Sequence, residues 1–88
     1  MTASVLRLPL PDPDRVRRRA SVRVWLRGEQ ARGSTKTQAT ASELLVCLTL
    51  RKPPSEGAIA WLRRRAQQGD RIHRDWVQCL AEELGVGL

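Results

Sequence analysis

Thr40-Ala-Ser-Glu-Leu-Leu-Val-Cys-Leu-Thr-Leu-Arg-Lys-Pro-Pro-Ser-Glu-Gly-Ala-Ile-Ala-Trp-Leu-Arg-Arg-Arg65 reads as two short helices joined by a tight connection, the second ending in three arginines. Thr40 and Glu43 stand three apart ahead of an apolar run, the spacing of a capping box, so a helix is expected to begin at Ala41. Ala41, Leu44, Leu45 and Leu48 then recur at the intervals that bury one face of a helix. Pro53 and Pro54 end it, because neither offers an amide to the helical ladder and a residue before proline is pushed out of the helical region. Ser55 as N-cap, or Pro54 as a first-turn residue, opens the second helix. Ile59, Leu62 and Ala66 are its expected inward residues, leaving Glu56, Gly57, Ala60, Arg63 and Arg64 outward.

Outward from this pair, the C-terminal flank begins with Gln67-Gln-Gly69, an abrupt stop. Asp70-Arg-Ile-His-Arg74 is either a brief extended element or the first turn of a last helix capped by Asp70. Ile72, Trp76, Leu80 and Leu84, with Val77 and Ala81 beside them, predict an amphipathic helix over at least 75–84. Glu82 and Glu83 are expected on its outer face, which puts the positive charge elsewhere.

On the N-terminal flank, residues 28–39 are polar and glycine-punctuated and read as a surface loop. Residues 15–27 admit two periods. As a helix they align Val16, Ala20 and Val24, with Val22 and Leu26 towards the neighbouring face; as a strand they alternate Val22, Val24 and Leu26 against Ser21, Arg23, Trp25 and Arg27. The helix is preferred, because Asp12-Pro-Asp14 is a good opening and no partner strand follows; Gly28 is placed to end it. Residues 1–14 alternate leucine with proline and read as an extended arm, lying on the domain through Val5, Leu6, Leu8 and Leu10 or else a tail. The organisation is thus an arm over 1–14 and a single helical domain over 15–85.

Eighty-eight residues suffice for one compact domain, and a core this small makes dimerisation unsurprising. With no Phe or Tyr, that core must come from Leu, Val, Ala and the three Trp. Charge is the unusual feature. Sixteen basic side chains, mostly arginine, stand against nine acidic ones for a formal net charge of +7. Such an excess favours a polyanionic partner, nucleic acid first, although codon bias also enriches arginine. Cys47 and Cys79 fall inside amphipathic segments as small apolar residues, and one histidine does not complete a zinc site with them. No metal or cofactor is expected. No Ser, Cys or acidic pair stands at a recognisable catalytic spacing with His73, so no enzymatic role is expected either. No run approaches a membrane span, and the expected location is cytoplasmic, in a bacterium or one of its mobile elements.

Val24-Trp-Leu-Arg-Gly28, Thr40-Ala-Ser-Glu-Leu-Leu45, Ile59-Ala-Trp-Leu-Arg-Arg-Arg65 and Gln67-Gln-Gly-Asp-Arg-Ile-His73 together resemble the first-helix, second-helix, recognition-helix and post-helix segments of small bacterial helix-turn-helix and winged-helix regulators. The turn departs from that pattern, carrying Arg51-Lys-Pro-Pro54 where a glycine is usual, and no clear pair of wing strands follows Gly69. The resemblance implies a mainly α domain whose helix from Ser55 enters the major groove of double-stranded DNA. It would present Ser55, Glu56, Gly57 and Ala60 to base edges and reach a base or phosphate with Arg63 or Arg64. Arg51, Lys52, Arg71 and Arg74 would grip phosphates, with a homodimer on a two-fold operator. A second reading, suggested by size and charge, is a small inhibitor of the anti-CRISPR or antirepressor kind that docks its basic face on an acidic protein surface. RNA binding ranks third, since single-strand recognition uses exposed aromatics and most of Trp25, Trp61 and Trp76 are expected in the core.

Overall fold

The structure, a computed structural model, describes residues 13–88. The arm read over 1–14 and the cap read at Asp12 lie outside them, except that Pro13 and Asp14 open the first helix. The described chain is mainly helical: α1 Pro13–Arg32, α2 Thr35–Leu50, α3 Glu56–Gln68 and α4 Arg71–Leu84. No strand occurs among the described residues, so no wing follows Gly69 there; Asp70 instead caps α4 through the His73 amide at 3.0 Å.

Helix α1 is longer than its sequence suggests and faces the core differently. It runs past Gly28, because a lone glycine costs a helix only about 1 kcal/mol and the packing around it outweighs that. Its buried stripe is Val22, Trp25 and Leu26, while Val16 and Val24 are 49% and 68% exposed, so the line through Val16, Ala20 and Val24 faces solvent. The stretch expected as a loop over 28–39 is nearly all helix. Gly33 and Ser34 alone separate α1 from α2, Gly33 donating its amide to the Glu29 carbonyl at 2.9 Å and the Ser34 hydroxyl accepting from the Thr37 amide at 3.3 Å. Thr40 is therefore mid-helix, donating its hydroxyl to the Lys36 carbonyl at 3.0 Å, and the capping box read at Thr40 and Glu43 does not form. A threonine three residues before a glutamate matches the cap spacing, but the stronger local signal, Ser34 before Thr37, lies six residues earlier and wins.

The core takes one fully buried leucine from each helix: Leu26, Leu44, Leu62 and Leu80. Deleting any one would cost about 2–5 kcal/mol, a large share of what holds a small domain folded. In α3 the buried residues are Ala58, Trp61 and Leu62, with the expected Ile59 and Ala66 only partly covered. In α4 they are Val77, Cys79, Leu80 and Ala81, and Ile72 is 57% exposed. The three indoles form a stack contributed by three helices. Trp25 lies between Trp61 and Trp76, with centroids 5.7 and 5.5 Å away, and His73 meets Trp25 and Trp76 edge-on. Two ion-pair groups tie distant segments to this core: Glu29 of α1 to Arg65 of α3, and Arg19 and Arg23 of α1 to Glu83 of α4. Glu83, expected on the outer face of α4, is folded against α1 with 15% of its side chain exposed.

Candidate nucleic-acid interface

The α2–α3 connection is held from both ends. Arg51 adopts left-handed torsions, φ 56° and ψ 46°, at the end of α2, and the Lys52 amide turns back to the Cys47 carbonyl at 3.1 Å. This is the geometry in which helices commonly end on glycine, built here with an arginine. Pro53 and Pro54 carry the chain away from α2 with Pro54 buried. Ser55 then caps α3, its hydroxyl accepting from the Ala58 amide at 3.2 Å. Glu43, from the middle of α2, receives both the Ser55 amide at 2.7 Å and the Ser55 hydroxyl at 2.9 Å. One carboxylate thus fixes the start of α3 against α2, and the donor of the Ser55 hydroxyl is spent inside the molecule.

Beyond that cap, Glu56 and Gly57 are exposed on the first turn of α3, Ala60 is half-buried, and Arg63 and Arg64 are exposed on the following turns. Neither Arg63 nor Arg64 makes an ion pair among the described residues. Arg65 behaves differently: its Nη2 lies 3.3 Å from Glu29 Oε2 and its guanidinium sits 5.0 Å over the Trp61 ring. The run of three is therefore divided, two cations outward and one retained as a strut between α1 and α3. Glu29 is completed by the Trp25 indole, which donates to its other oxygen at 3.3 Å.

Arg71 and Arg74 are exposed on α4 without an ion pair among the described residues, as are Arg51 and Lys52 at the turn. A further basic group lies on α1, outside the two central helices. Arg15, Arg17, Arg18 and Arg19 crowd the N-terminal part of α1, exposed or nearly so. Arg19 and Arg23 then line a cleft of about 280 Å³ with Arg51, Lys52 and Glu83. The signal in the sequence was the run Arg15-Val-Arg-Arg-Arg19; what it could not disclose was that the end of α2 lies beside it.

The two cysteines are free and buried. Burial, then nearby carboxylates (Glu43 for Cys47, Glu83 and Glu82 for Cys79), push both thiols above their ordinary range, which disfavours thiolate chemistry. No cluster of His, Cys, Asp and Glu that could hold a metal ion occurs among the described residues. No helix among them is long and apolar enough to cross a membrane.

The fold and surface of the described residues define a small four-helix domain with abundant unpaired arginine. No family model, curated protein or solved structure matches the chain.

Proposed function

We propose that the chain is a DNA-binding transcriptional regulator of a bacterium, phage or mobile element, in which α2, the Arg51–Ser55 turn and α3 act as a helix-turn-helix unit. The observation that carries this reading is the division of the arginine run: Arg63 and Arg64 project from a capped, braced helix with no carboxylate of the described chain to neutralise them. A rigid helix presenting unpaired guanidinium forks suits guanine edges and phosphates. Glu56, Gly57 and Ala60 lie on the same helix for close approach to base edges, and Arg51, Lys52, Arg71 and Arg74 flank it as phosphate contacts.

The direct test is fluorescence anisotropy on duplex DNA from the protein's own promoter region across a salt series, with Arg63→Ala and Arg64→Ala. Affinity should fall steeply with salt, by about 0.9 of log–log slope per phosphate neutralised, and each substitution should weaken binding. Indifference to salt and to both substitutions removes the reading.

The uncharged outer face of α2 supports a dimer. A shallow groove there is lined by Ser42, Leu45, Val46, Thr49 and Leu50 of α2 with Gln30 of α1, Val46 being 48% and Leu50 60% exposed. In a chain with a net charge of +7, self-association is least opposed through such a face. The same groove also favours the second reading, an inhibitor anchored through Val46 and Leu50 with its arginines on an acidic protein surface. Sedimentation of wild type and Val46→Glu, with capture from nuclease-treated host lysate, separates the two. A dimer lost in the variant supports the regulator; a stoichiometric acidic partner that survives nuclease supports the inhibitor.

A further inference from the structure

We infer that the cleft between α1 and the C-terminal ends of α2 and α4 binds successive backbone phosphates of a nucleic acid, with Glu83 as the internal counter-ion that competes with them for Arg19 and Arg23. The inference rests on the DNA-binding reading and adds to it a second binding surface, built on α1 and the end of α4 and meeting the first at Arg51 and Lys52.

Geometry carries it. The cleft brings four cations, Arg19, Arg23, Arg51 and Lys52, around one carboxylate, Glu83. A second cleft of about 260 Å³ adjoins it, sharing Arg19 and Glu83 and adding Arg15, Arg18 and Glu82. Across both, six cations face two carboxylates. At about 280 and 260 Å³ each lies just below the range of roughly 300–1,000 Å³ typical of small-molecule sites, which are mostly apolar. These walls are instead mainly charged, and the volumes suit a phosphate with its water.

Glu83 does not exhaust the arginines it holds. Arg23 meets it with Nη2 at 2.7 Å and Nη1 at 3.3 Å and also donates to the Arg19 carbonyl at 3.1 Å, so its fork is set in place. Arg19 meets Glu83 through Nε at 3.1 Å, and its side chain remains 43% exposed to an incoming ligand. Arg51 and Lys52 enter with no ion pair among the described residues. Arginine forks recognise phosphate by paired, charge-assisted hydrogen bonds. Arg15, Arg19 and Arg23 follow one another at intervals of four residues, about 6 Å along the helix. Two adjoining clefts along such a row suit a chain of phosphates better than a single ion.

The test measures duplex binding by anisotropy across a salt series for three sets of variants. Arg15→Ala with Arg18→Ala removes two cations that hold no ion pair among the described residues, so the fold, checked by circular dichroism, should be unchanged. Binding should weaken several-fold, and the log–log salt slope should drop by about 1 for each phosphate no longer held. Glu83→Gln should tighten binding and steepen the slope by releasing Arg19 and Arg23, even if the domain melts at a lower temperature. Arg27→Ala with Arg32→Ala, an equal loss of charge on exposed positions outside both clefts, is the control and should matter much less. Equal effects of the two double variants, or a folded Glu83→Gln protein that binds no more tightly, would overturn the inference. So would saturable binding of inorganic phosphate at matched ionic strength with duplex affinity unmoved by the cleft variants, which assigns the site to a free phosphate. Failure of Arg63→Ala and Arg64→Ala to weaken binding, with the cleft variants still active in the assay, would count against α3 as recognition helix and leave the cleft standing.

Discussion

Arg51→Gly should make the protein more stable. Arg51 is the non-glycine residue with positive φ among the described residues, at φ 56° and ψ 46°. An L-residue in that conformation costs about 1–2 kcal/mol, against which glycine gives up about 0.5–1 kcal/mol through its freedom in the unfolded chain. The net gain is about 0.5–1 kcal/mol. Losing a cation from the crowded cleft acts in the same direction but adds little, since Arg51 is exposed and its interactions are screened. Arg51→Ala removes the charge and keeps the strained backbone, so the glycine–alanine difference isolates the torsion. Urea unfolding followed by far-UV circular dichroism is the assay. With a slope of about 1 kcal/mol per molar urea for so small a domain, the glycine variant's midpoint should lie about 0.5–1 M above the alanine variant's. An alanine variant as stable as the glycine variant, with equal slopes, would refute the reasoning. The same Arg51→Gly protein should bind duplex DNA less well, which makes it a case where stability and binding move in opposite directions.

Gly28 and Gly33, five residues apart, should respond oppositely to alanine. At Gly28 a Cβ would meet nothing within 4 Å, so Gly28→Ala should stabilise α1 by about 0.5–1 kcal/mol, whereas at Gly33 it would lie 2.6 Å from both the Glu29 carbonyl oxygen and Thr37 Cγ2, and thermal melts should show Gly33→Ala below wild type. Gly57→Ala has room, with only the Ser55 hydroxyl oxygen nearby at 3.9 Å, so it should preserve or raise the melting temperature while weakening DNA binding where α3 meets base edges, as paired melts and anisotropy would show. Asp70 is held below the ordinary carboxylate range, first by the His73 amide and then by the His73 ring. Its cap therefore contributes stability above the unfolded carboxylate pKa that is lost as pH falls through the lower folded value. The melting-temperature gap between wild type and Asp70→Ala should accordingly close on acidification. Cys47 and Cys79, buried with raised thiol pKa values, should resist alkylation at neutral pH and react fully in denaturant, a contrast read by mass spectrometry.

Much of the second half of the fold was legible because its boundaries are local. Pro53-Pro54, the Ser55 cap, Gly69, the Asp70 cap and Gly85 each act within a few residues, and α3 and α4 start and stop at them. The first half was misread where local signals compete. Gly28 looked like a terminus, yet α1 continues because Trp25, Leu26 and Glu29 are held by partners far along the chain. Burial is legible as a period but not always as a phase: the neighbouring face of Val22 and Leu26 is the one buried, together with Trp25, while the line through Val16, Ala20 and Val24 meets solvent, since indole packing with α3 and α4 sets the rotation of the helix. In the candidate site, the exposure of Glu56, Gly57, Arg63 and Arg64 followed from the α3 pattern. Its braces did not, because Glu43 reaches Ser55 across 12 residues, Glu29 reaches Arg65 across 36, and Glu83 reaches Arg23 across 60.

The triple indole stack gives the protein a label-free optical readout of its own assembly. Trp25, Trp61 and Trp76 belong to α1, α3 and α4, and neighbouring rings lie within 6 Å of one another. Chromophores this close share their excited states, so departure of any one of these helices alters the emission and near-ultraviolet dichroism of all three. A ligand that loosened or tightened the bundle would therefore announce itself in the spectrum of the unmodified chain.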